Sequence, residues 1–576
     1  MQAKDIRLGC CTRCGQGTER RSPFCRRARW EAREEVDRVL VIGIDGATFD
    51  VIDPMVARGE LPNIGGVIAR GARGQLESSI PPVTAAAWVS FMTGVNPGKH
   101  GIFNFFELSP DAIRQGQRRL ITSRLIASAT IWEIVDRAGG RMVAVNVPVT
   151  YPPWPIRGAM IPGLPTPAKD ETLTHPPELL SEIESATGEY LLEENPSQGD
   201  AVPLREWTER YVRIEEQRHR AALHLIGRKE WDLFVIVYGI TDRVQHLCWE
   251  EYRYGGAMAD AVPRAYRTVD RMAGELIARA GPETRLILVS DHGFGDLEKV
   301  FCTNRWLREH GFLRLKGAGP GGTQRRPGLR RGTLGGALSR CGFRRVAEFL
   351  PQPVRRVGLP VPALRARGPA TVDWERTDAF AGNFGIYINV REGDLGTVER
   401  GPACEELRRR IMEELEELRD PETGGRVVDL VASREEVYEG RHAERAPDIL
   451  FRLKGMAYQQ QNRPDAKELF ADQRGGTHRM QGVLVAAGSP IQPGARFRDA
   501  ALIDVAPTLL YLLGVPVPRE MDGRVLTEGL RQEVLEARPV EVSAAPVERI
   551  DLQKRGYRRD EEEAILRQLA GLGYLD

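Results

Sequence analysis

VLVIGIDGATFDVIDPMVARGELPNIGGVIARGARGQLESSIPPVTAAAWVSFMTGVNPGKHGIFNFF, residues 39–106, is the stretch whose reading decides the fold. Its apolar run Val39 to Ile44 stops abruptly at Asp45-Gly46. That pattern predicts a buried strand that delivers a carboxylate to the carboxyl edge of a sheet, where ligands of α/β folds gather. Further on, Pro81-Pro82-Val83-Thr84 precedes Ala85-Ala86-Ala87-Trp88, a rigid turn opening a helix with Thr84 at or near its cap. A hydroxyl there stands beside unpaired N–H groups and the positive end of the helix, where a phosphoryl oxygen would be stabilised. The plainer alternative is that Thr84 only caps the helix, and from this stretch alone the cap reading stands first.

Outward from this stretch the chain alternates strand and helix signals. Ser128 to Ala138 has helical spacing and Met142 to Val147 is a short apolar run. Leu233 to Tyr238, Leu286 to Ser290 and Val483 to Ala487 are strand-sized. Between the first two of these lies an amphipathic helix, Ala265 to Ala280, with Val269, Met272, Leu276 and Ile277 on one face. An apolar helix, Leu509 to Leu513, should pack on the sheet. Strands separated by helices in this order predict an α/β fold with a mostly parallel sheet.

The expected organisation is a basic, Cys-containing leader over 1–36, a catalytic domain over 37–530 and a tail over 531–576 with a short helix from Glu561 to Gly571. Cap insertions are expected at about 151–230, ending in a helical run Tyr211 to Arg228, and at about 300–470. The latter holds a strand at Ile386 to Val390 and a charged helix at Cys404 to Leu418. It also holds a Gly/Pro/Arg-rich segment, Lys316 to Gly368, with a single acid, Glu348. That segment reads as a solvated cap insertion, with a patch for an anionic ligand as the alternative.

The 576 residues carry 81 basic and 80 acidic side chains, for a net charge of +1. So balanced a surface gives no whole-molecule argument for nucleic acid, and any anion binding must be local. Eight cysteines are too few for a secreted disulfide framework. Cys11, Cys14 and Cys25 could offer three zinc ligands, against a disordered leader. No apolar run reaches the length of a membrane span, so the expected location is the cytoplasm.

Several apolar runs end in potential metal ligands. Leu233 to Val237 leads to Asp242 and His246, four apart and so on one face of a helical turn. Leu286 to Ser290 runs into Asp291-His292-Gly293, and Gly475-Gly476-Thr477-His478-Arg479 puts a further His just before the strand at 483–487. With Asp45 these make six acid or imidazole groups, enough for two divalent cations at three ligands each with positions left for substrate oxygens. His219 and His224 read as surface residues of a charged helix.

The segments GIDGATFD, LPN, PPVTAAAWVSFMTG with NPGKHGIF, TDRVQH, SDHGF, GGTHR and DVAPTLLYLLGVPVP, spread in order from Val39 to Asp522, together resemble the alkaline phosphatase superfamily, in its type I phosphodiesterase/nucleotide pyrophosphatase branch. The resemblance implies an alkaline-phosphatase-like mostly parallel sheet sandwiched between helices, and two divalent metal ions, zinc or else manganese. It implies that Thr84 is the nucleophile, that Asp242, His246 and His478 hold one metal, and that Asp45, Asp291, His292 and Thr84 hold the other. The family's phosphoryl-binding Asn is matched by Asn104, one position out of register. The implied activity is hydrolysis of a phosphodiester or nucleotide-like pyrophosphate in a small phosphorylated substrate, through a phospho-threonine. A phosphomutase or phosphomonoesterase of the same superfamily is the alternative. Sulfatases are excluded, because Thr84-Ala85-Ala86-Ala87 lacks their Cys or Ser with Pro and Arg.

Overall fold

The computed structural model describes residues 38–107, 109–116, 119–167, 169–192, 202–317, 371–382, 384–393, 395–550, 552 and 557–571. The leader with its cysteines, and the basic segment from 318 onward, lie outside the described residues.

Strand β1, Val39–Ile44, is buried along its whole length. Its side chains alternate between two cores. Val39 and Val41 point to one, Leu40, Ile42 and Ile44 to the other, as the period of two requires. A strand buried on both faces needs covering layers on both sides and tolerates no polar alternation, hence the unbroken apolar run. Burying each such side chain contributes about 1.5–3 kcal/mol.

The sheet builds outward from β1 in chain order β2 (Ala72–Glu77), β3 (Met142–Val147), β4 (Gly158–Pro162), β5 (Leu233–Tyr238) and β6 (Arg285–Val289). Strands β1 and β5 pair in parallel, as do β1 and β6, β3 and β5, and β3 and β4. Two strands from the C-terminal half complete it, Gln481–Ala487 and the short Ala500–Ala501. The first of these is antiparallel to both β6 and β2. The sheet has eight strands, and that one runs against the rest. The expected α/β class with a mostly parallel sheet is therefore what the structure has.

One face is covered by the helices Thr84–Thr93, Ile131–Ala138 and Val505–Leu512. The other is covered by Phe49–Ala57, Pro62–Arg70, Leu204–Arg228 and Ala261–Ala280. The long helix starts seven residues before the expected Tyr211, and Trp207, Tyr211 and Leu225 sit in the sheet's own core. The tail helix Arg559–Gly571 buries Ile565 and Leu569 in the opposite core.

His219 is not a surface residue: it is 3 % exposed. Its Nδ1 lies 2.8 Å from Tyr238 Oη and its Nε2 3.0 Å from Glu275 Oε2. A helix that is charged overall still turns one stripe to the sheet, and His219 belongs to that stripe because two partners satisfy both ring nitrogens. His224 is half-buried and pairs with Glu182.

Asp270 in the Ala261–Ala280 helix accepts from the backbone N–H groups of Asn63 and Ile64 and from Asn63 Nδ2. It thereby caps the Pro62–Arg70 helix, whose own cap residue, Leu61, has no side-chain acceptor. Asp270→Ala strands these donors and is expected to lower stability by about 2 kcal/mol with catalysis intact, measured by chemical denaturation.

Past β6 the chain leaves the main sheet. Strands β7 (Gly293–Cys302), β8 (Ala379–Gly382), β9 (Gly385–Ile388), β10 (Val428–Ser433), β11 (Ile449–Leu453), β12 (Tyr458–Gln461) and β13 (Phe470–Arg479) form two further sheets. One is antiparallel in the order β10-β11-β9-β8, the other has the order β12-β7-β13. We call the Gln481–Ala487 strand β14. Strand β7 continues out of β6 and β13 runs into β14, so the small sheet prolongs the antiparallel β6/β14 pair.

Asp420 ties this region together. It is fully buried and accepts from Lys299 Nζ at 2.9 Å, Tyr458 Oη at 2.5 Å and two backbone N–H groups. Burial alone would raise its carboxyl, but these donors outweigh it and hold it below the usual range. A depressed carboxyl adds stability that is complete above its unfolded value of about 3.9 and lost as pH falls towards the folded value. Unfolding measured from pH 6 downward is expected to show an acid loss below about pH 4 that Asp420→Asn flattens.

Candidate active site

Each of the six ligand candidates sits where a sheet edge ends. Asp45 follows β1, Asp291 and His292 lie between β6 and β7, and Asp242 and His246 occupy the first two turns of the helix Ile240–Tyr254 after β5. His478 stands near the C-terminal end of β13, just before the strand Gln481–Ala487 as expected, and faces Phe294 across the register. Asp45, Asp242, Asp291 and His292 are at most 1 % exposed.

The donor atoms converge. Asp242 Oδ1 lies 3.3 Å from His246 Nε2 and 3.4 Å from His478 Nε2, and those two nitrogens are 2.9 Å apart. His292 Nε2 lies 3.6 Å from Asp45 Oδ1, 3.4 Å from Asp291 Oδ2 and 3.4 Å from Thr84 Oγ1. The two clusters abut, for the rings of His292 and His478 stack at 3.6 Å. His292 is close enough to join Asp242 and His478 as well as Asp45 and Asp291.

Thr84 is the first residue of its helix, directly after the cap position Val83. The hydroxyl is fully buried on the His292 side. Thr84 thus stands next to the cap position rather than in it.

Every carboxylate has one oxygen tied down. Trp88 Nε1 donates to Asp45 Oδ2 at 3.1 Å, Arg243 Nη1 to Asp242 Oδ2 at 2.6 Å, and the Gly46 N–H to Asp291 Oδ1 at 3.3 Å. Among the described residues nothing donates to the other oxygens, Asp45 Oδ1, Asp242 Oδ1 and Asp291 Oδ2, although all three are buried. These are the oxygens that face the histidines. Gly46 has φ +66°, and a Cβ there would come within 3.0 Å of Asp242 Oδ1, so the close turn between two carboxylates requires glycine.

The imidazoles are held likewise. His478 Nδ1 lies 2.7 Å from the carbonyl of Pro82 and His292 Nδ1 3.0 Å from that of Gly293. A carbonyl only accepts, so Nδ1 carries the proton and Nε2 turns a lone pair to the centre. Burial pushes the His292 imidazole down to about 4 and lowers His246 and His478 too. Burial and then the neighbouring carboxylates raise Asp45 well above the usual range and Asp291 to about 7. Asp242 is the exception, held low because the attraction of His246 and His478 outweighs its burial.

Neutral imidazoles and unsatisfied carboxylate oxygens form a donor set that lacks only positive charge. Around a tetrahedral zinc with bonds of about 2.0–2.2 Å, neighbouring ligand atoms lie about 3.3–3.6 Å apart. Most of the spacings above fall in or near that range, so the residues fit divalent cations.

Asn104 is buried at the wall of a neighbouring cavity, and its Oδ1 is taken by the N–H of Phe105. Sequence reasoning missed Trp88 and Arg243 as anchors. An arginine beside a ligand aspartate in a buried helix was a readable signal for Arg243. Trp88 carried none, because its pairing with Asp45 spans two elements. Among the described residues of 151–230, none lines this cavity.

An α/β fold with such a donor set and a buried threonine at its centre defines a class of phosphoryl-handling proteins. Residues 39–482 match the profile of type I phosphodiesterase / nucleotide pyrophosphatase, and the chain belongs to that family of phosphoester hydrolases. Phosphonoacetate hydrolase from Sinorhizobium meliloti 1021, in complex with phosphonoacetate, is similar at 16% identity and TM-score 0.49, over 83% of this chain and 95% of its own. Human ectonucleotide pyrophosphatase / phosphodiesterase 5 is similar at 14% identity and TM-score 0.46, over 86% and 100%. No curated protein gives a significant match. No described helix is long and apolar enough to cross a membrane.

Proposed function

We propose that the protein is a two-metal phosphohydrolase that cleaves a phosphodiester or nucleotide-like pyrophosphate through a covalent phospho-threonine at Thr84. The observation that carries this reading is Thr84 Oγ1 at 3.4 Å from His292 Nε2, at the start of a helix, with His292 near enough to join either group of candidate ligands. Asp242, His246 and His478 would hold one cation, and Asp45, Asp291, His292 and Thr84 the other. Mixed N/O donors favour zinc, with manganese second. When bound, the cations lower the pKa of the threonine hydroxyl and offset charge on the phosphoryl oxygens.

The chain's own residues do the rest. Thr84 Oγ1 attacks phosphorus, its bond to phosphorus forms as the ester P–O bond breaks, and the threonine's proton ends on the departing alcohol. Unpaired N–H groups at the start of the Thr84–Thr93 helix would be available to a phosphoryl oxygen bound beside Thr84. Water then displaces Thr84, which regains a proton. Trp88, Arg243 and the Gly46 N–H hold the three carboxylates in the orientation the cycle needs.

Treatment with a chelator is expected to abolish release of alcohol from a chromogenic diester, and added zinc or manganese to restore it. The chelated protein should also melt at lower temperature, since three buried carboxylates lose their counter-charge. Full activity after verified metal removal would overturn the reading.

A further inference from the structure

The helix Leu204–Arg228 carries none of the candidate ligands, yet its Glu215 reaches the segment that carries two of them. Strand β5 ends at Tyr238, and the helix with Asp242 and His246 begins at Ile240. Between them Gly239 holds the cap position, is buried, and has no side chain to serve as a cap. A buried N–H past the end of a strand ladder needs an acceptor. Glu215 supplies it, with Oε1 at 2.8 Å from the Gly239 N–H.

Glu215 is itself buried and pairs with the equally buried Arg218, whose Nη1 lies 3.3 Å from the same oxygen. The preceding residue, Tyr238, is held from the same helix, because His219 Nδ1 lies 2.8 Å from its Oη. On its other side the junction is tied to the turn after β1. The Asp45 N–H donates to the Tyr238 carbonyl at 3.0 Å, Thr241 Oγ1 to the Asp45 carbonyl at 2.6 Å, and Gln245 Nε2 to the Gly46 carbonyl at 2.8 Å. The start of the helix is therefore fixed between two neighbours, and Glu215 is the contact from one of them.

That fixing bears on the donor geometry. Asp242 lies three residues beyond Gly239 and His246 seven, in the first two turns of one helix, so a tilt at its start moves both. Their partner His478 belongs to β13 and does not follow such a movement. A site of this kind needs its groups held within about 0.5 Å. Loss of an outer contact that orients a ligand typically weakens metal binding about 10–100-fold.

Resting on the assignment of Asp242, His246 and His478 to one cation, we propose that Glu215 is a positioning residue for that site, acting through its hydrogen bond to the Gly239 N–H. Two conservative replacements separate reach from charge. Glu215→Gln keeps an oxygen that can accept from Gly239 and loses the charge. Glu215→Asp keeps the charge and is one methylene shorter. Zinc affinity, measured by competition with a chelator, should fall at least about tenfold for one of two equivalents in Glu215→Asp and stay within about threefold of the parent in Glu215→Gln. Turnover of bis(p-nitrophenyl) phosphate by Glu215→Asp should be low at limiting zinc and recover at saturating zinc. Arg218→Met breaks the ion pair but leaves the bond to Gly239, so it should lower the melting temperature and leave zinc affinity within about threefold.

Amide exchange over residues 239–246 of the chelated protein should be faster in Glu215→Asp than in the parent or in Glu215→Gln. Equal exchange in all three would overturn the proposal. So would a loss of zinc affinity in Glu215→Gln or Arg218→Met as large as in Glu215→Asp, because charge or overall stability would then be the cause. A parent that binds no zinc overturns the metal assignment and this proposal with it. Two equivalents in the parent, held with unchanged affinity by Glu215→Asp, sink this proposal alone.

Discussion

Thr84→Ala is expected to lower turnover of an activated diester by at least about a thousandfold, with little change in melting temperature or metal content. The stability half of this expectation follows from the helix geometry. A capping threonine costs about 1 kcal/mol when replaced by alanine, but the cap position is held by Val83 and not by Thr84. The catalytic half follows from the buried hydroxyl 3.4 Å from His292 Nε2. Thr84→Ser keeps that hydroxyl and should retain measurable turnover, because the loss of a methyl group changes packing and not nucleophilicity. Mass spectrometry of acid-quenched reactions should find a phosphoryl or phosphodiester adduct on the Thr84 peptide of the parent and none in the alanine variant. An alanine variant within about tenfold of the parent would remove Thr84 from the mechanism.

What the sequence disclosed depended on which interactions are local. Strands β1, β5 and β6 were legible because a strand buried on both faces must be apolar throughout. Their ends were legible too, since Asp45, Asp242 and Asp291 interrupt or closely follow such runs. Strand β13 was not, because FADQRGGTHR is polar, carries two glycines and lies partly exposed. Its place is fixed by pairing with β7, a contact between segments about 180 residues apart. The strand that carries His478 was therefore not read, although the identity of His478 as a candidate ligand needed only the motif. His219 failed for a related reason: Tyr238 and Glu275, which satisfy its ring, come from other elements. The one-oxygen-held arrangement of the three carboxylates is likewise tertiary, with Trp88 reaching Asp45 from a helix and Gly46 reaching Asp291 from a different strand end.

His478→Ala is expected to bind about one metal equivalent fewer than the parent, out of two, and to lose turnover entirely within detection. Asp242→Ala should do the same to metal and activity but differ in stability. Arg243, 4 % exposed, directs Nη1 to Asp242 Oδ2, so deleting the carboxylate removes a buried counter-charge and should cost several kcal/mol. His478 is neutral, and its main bond is to the Pro82 carbonyl, so its loss should cost about 1–3 kcal/mol before the metal contribution is counted. Comparing the two variants by elemental analysis and by denaturation in chelator therefore separates ligand loss from collapse of the site. His478 is also near enough to His292 to disturb the second cluster through their stacked rings. Loss of both equivalents from His478→Ala would mean that the clusters bind cooperatively through His292. Full retention of both would remove His478 from the ligand set and leave Asp242, His246 and His292 to account for the first cation.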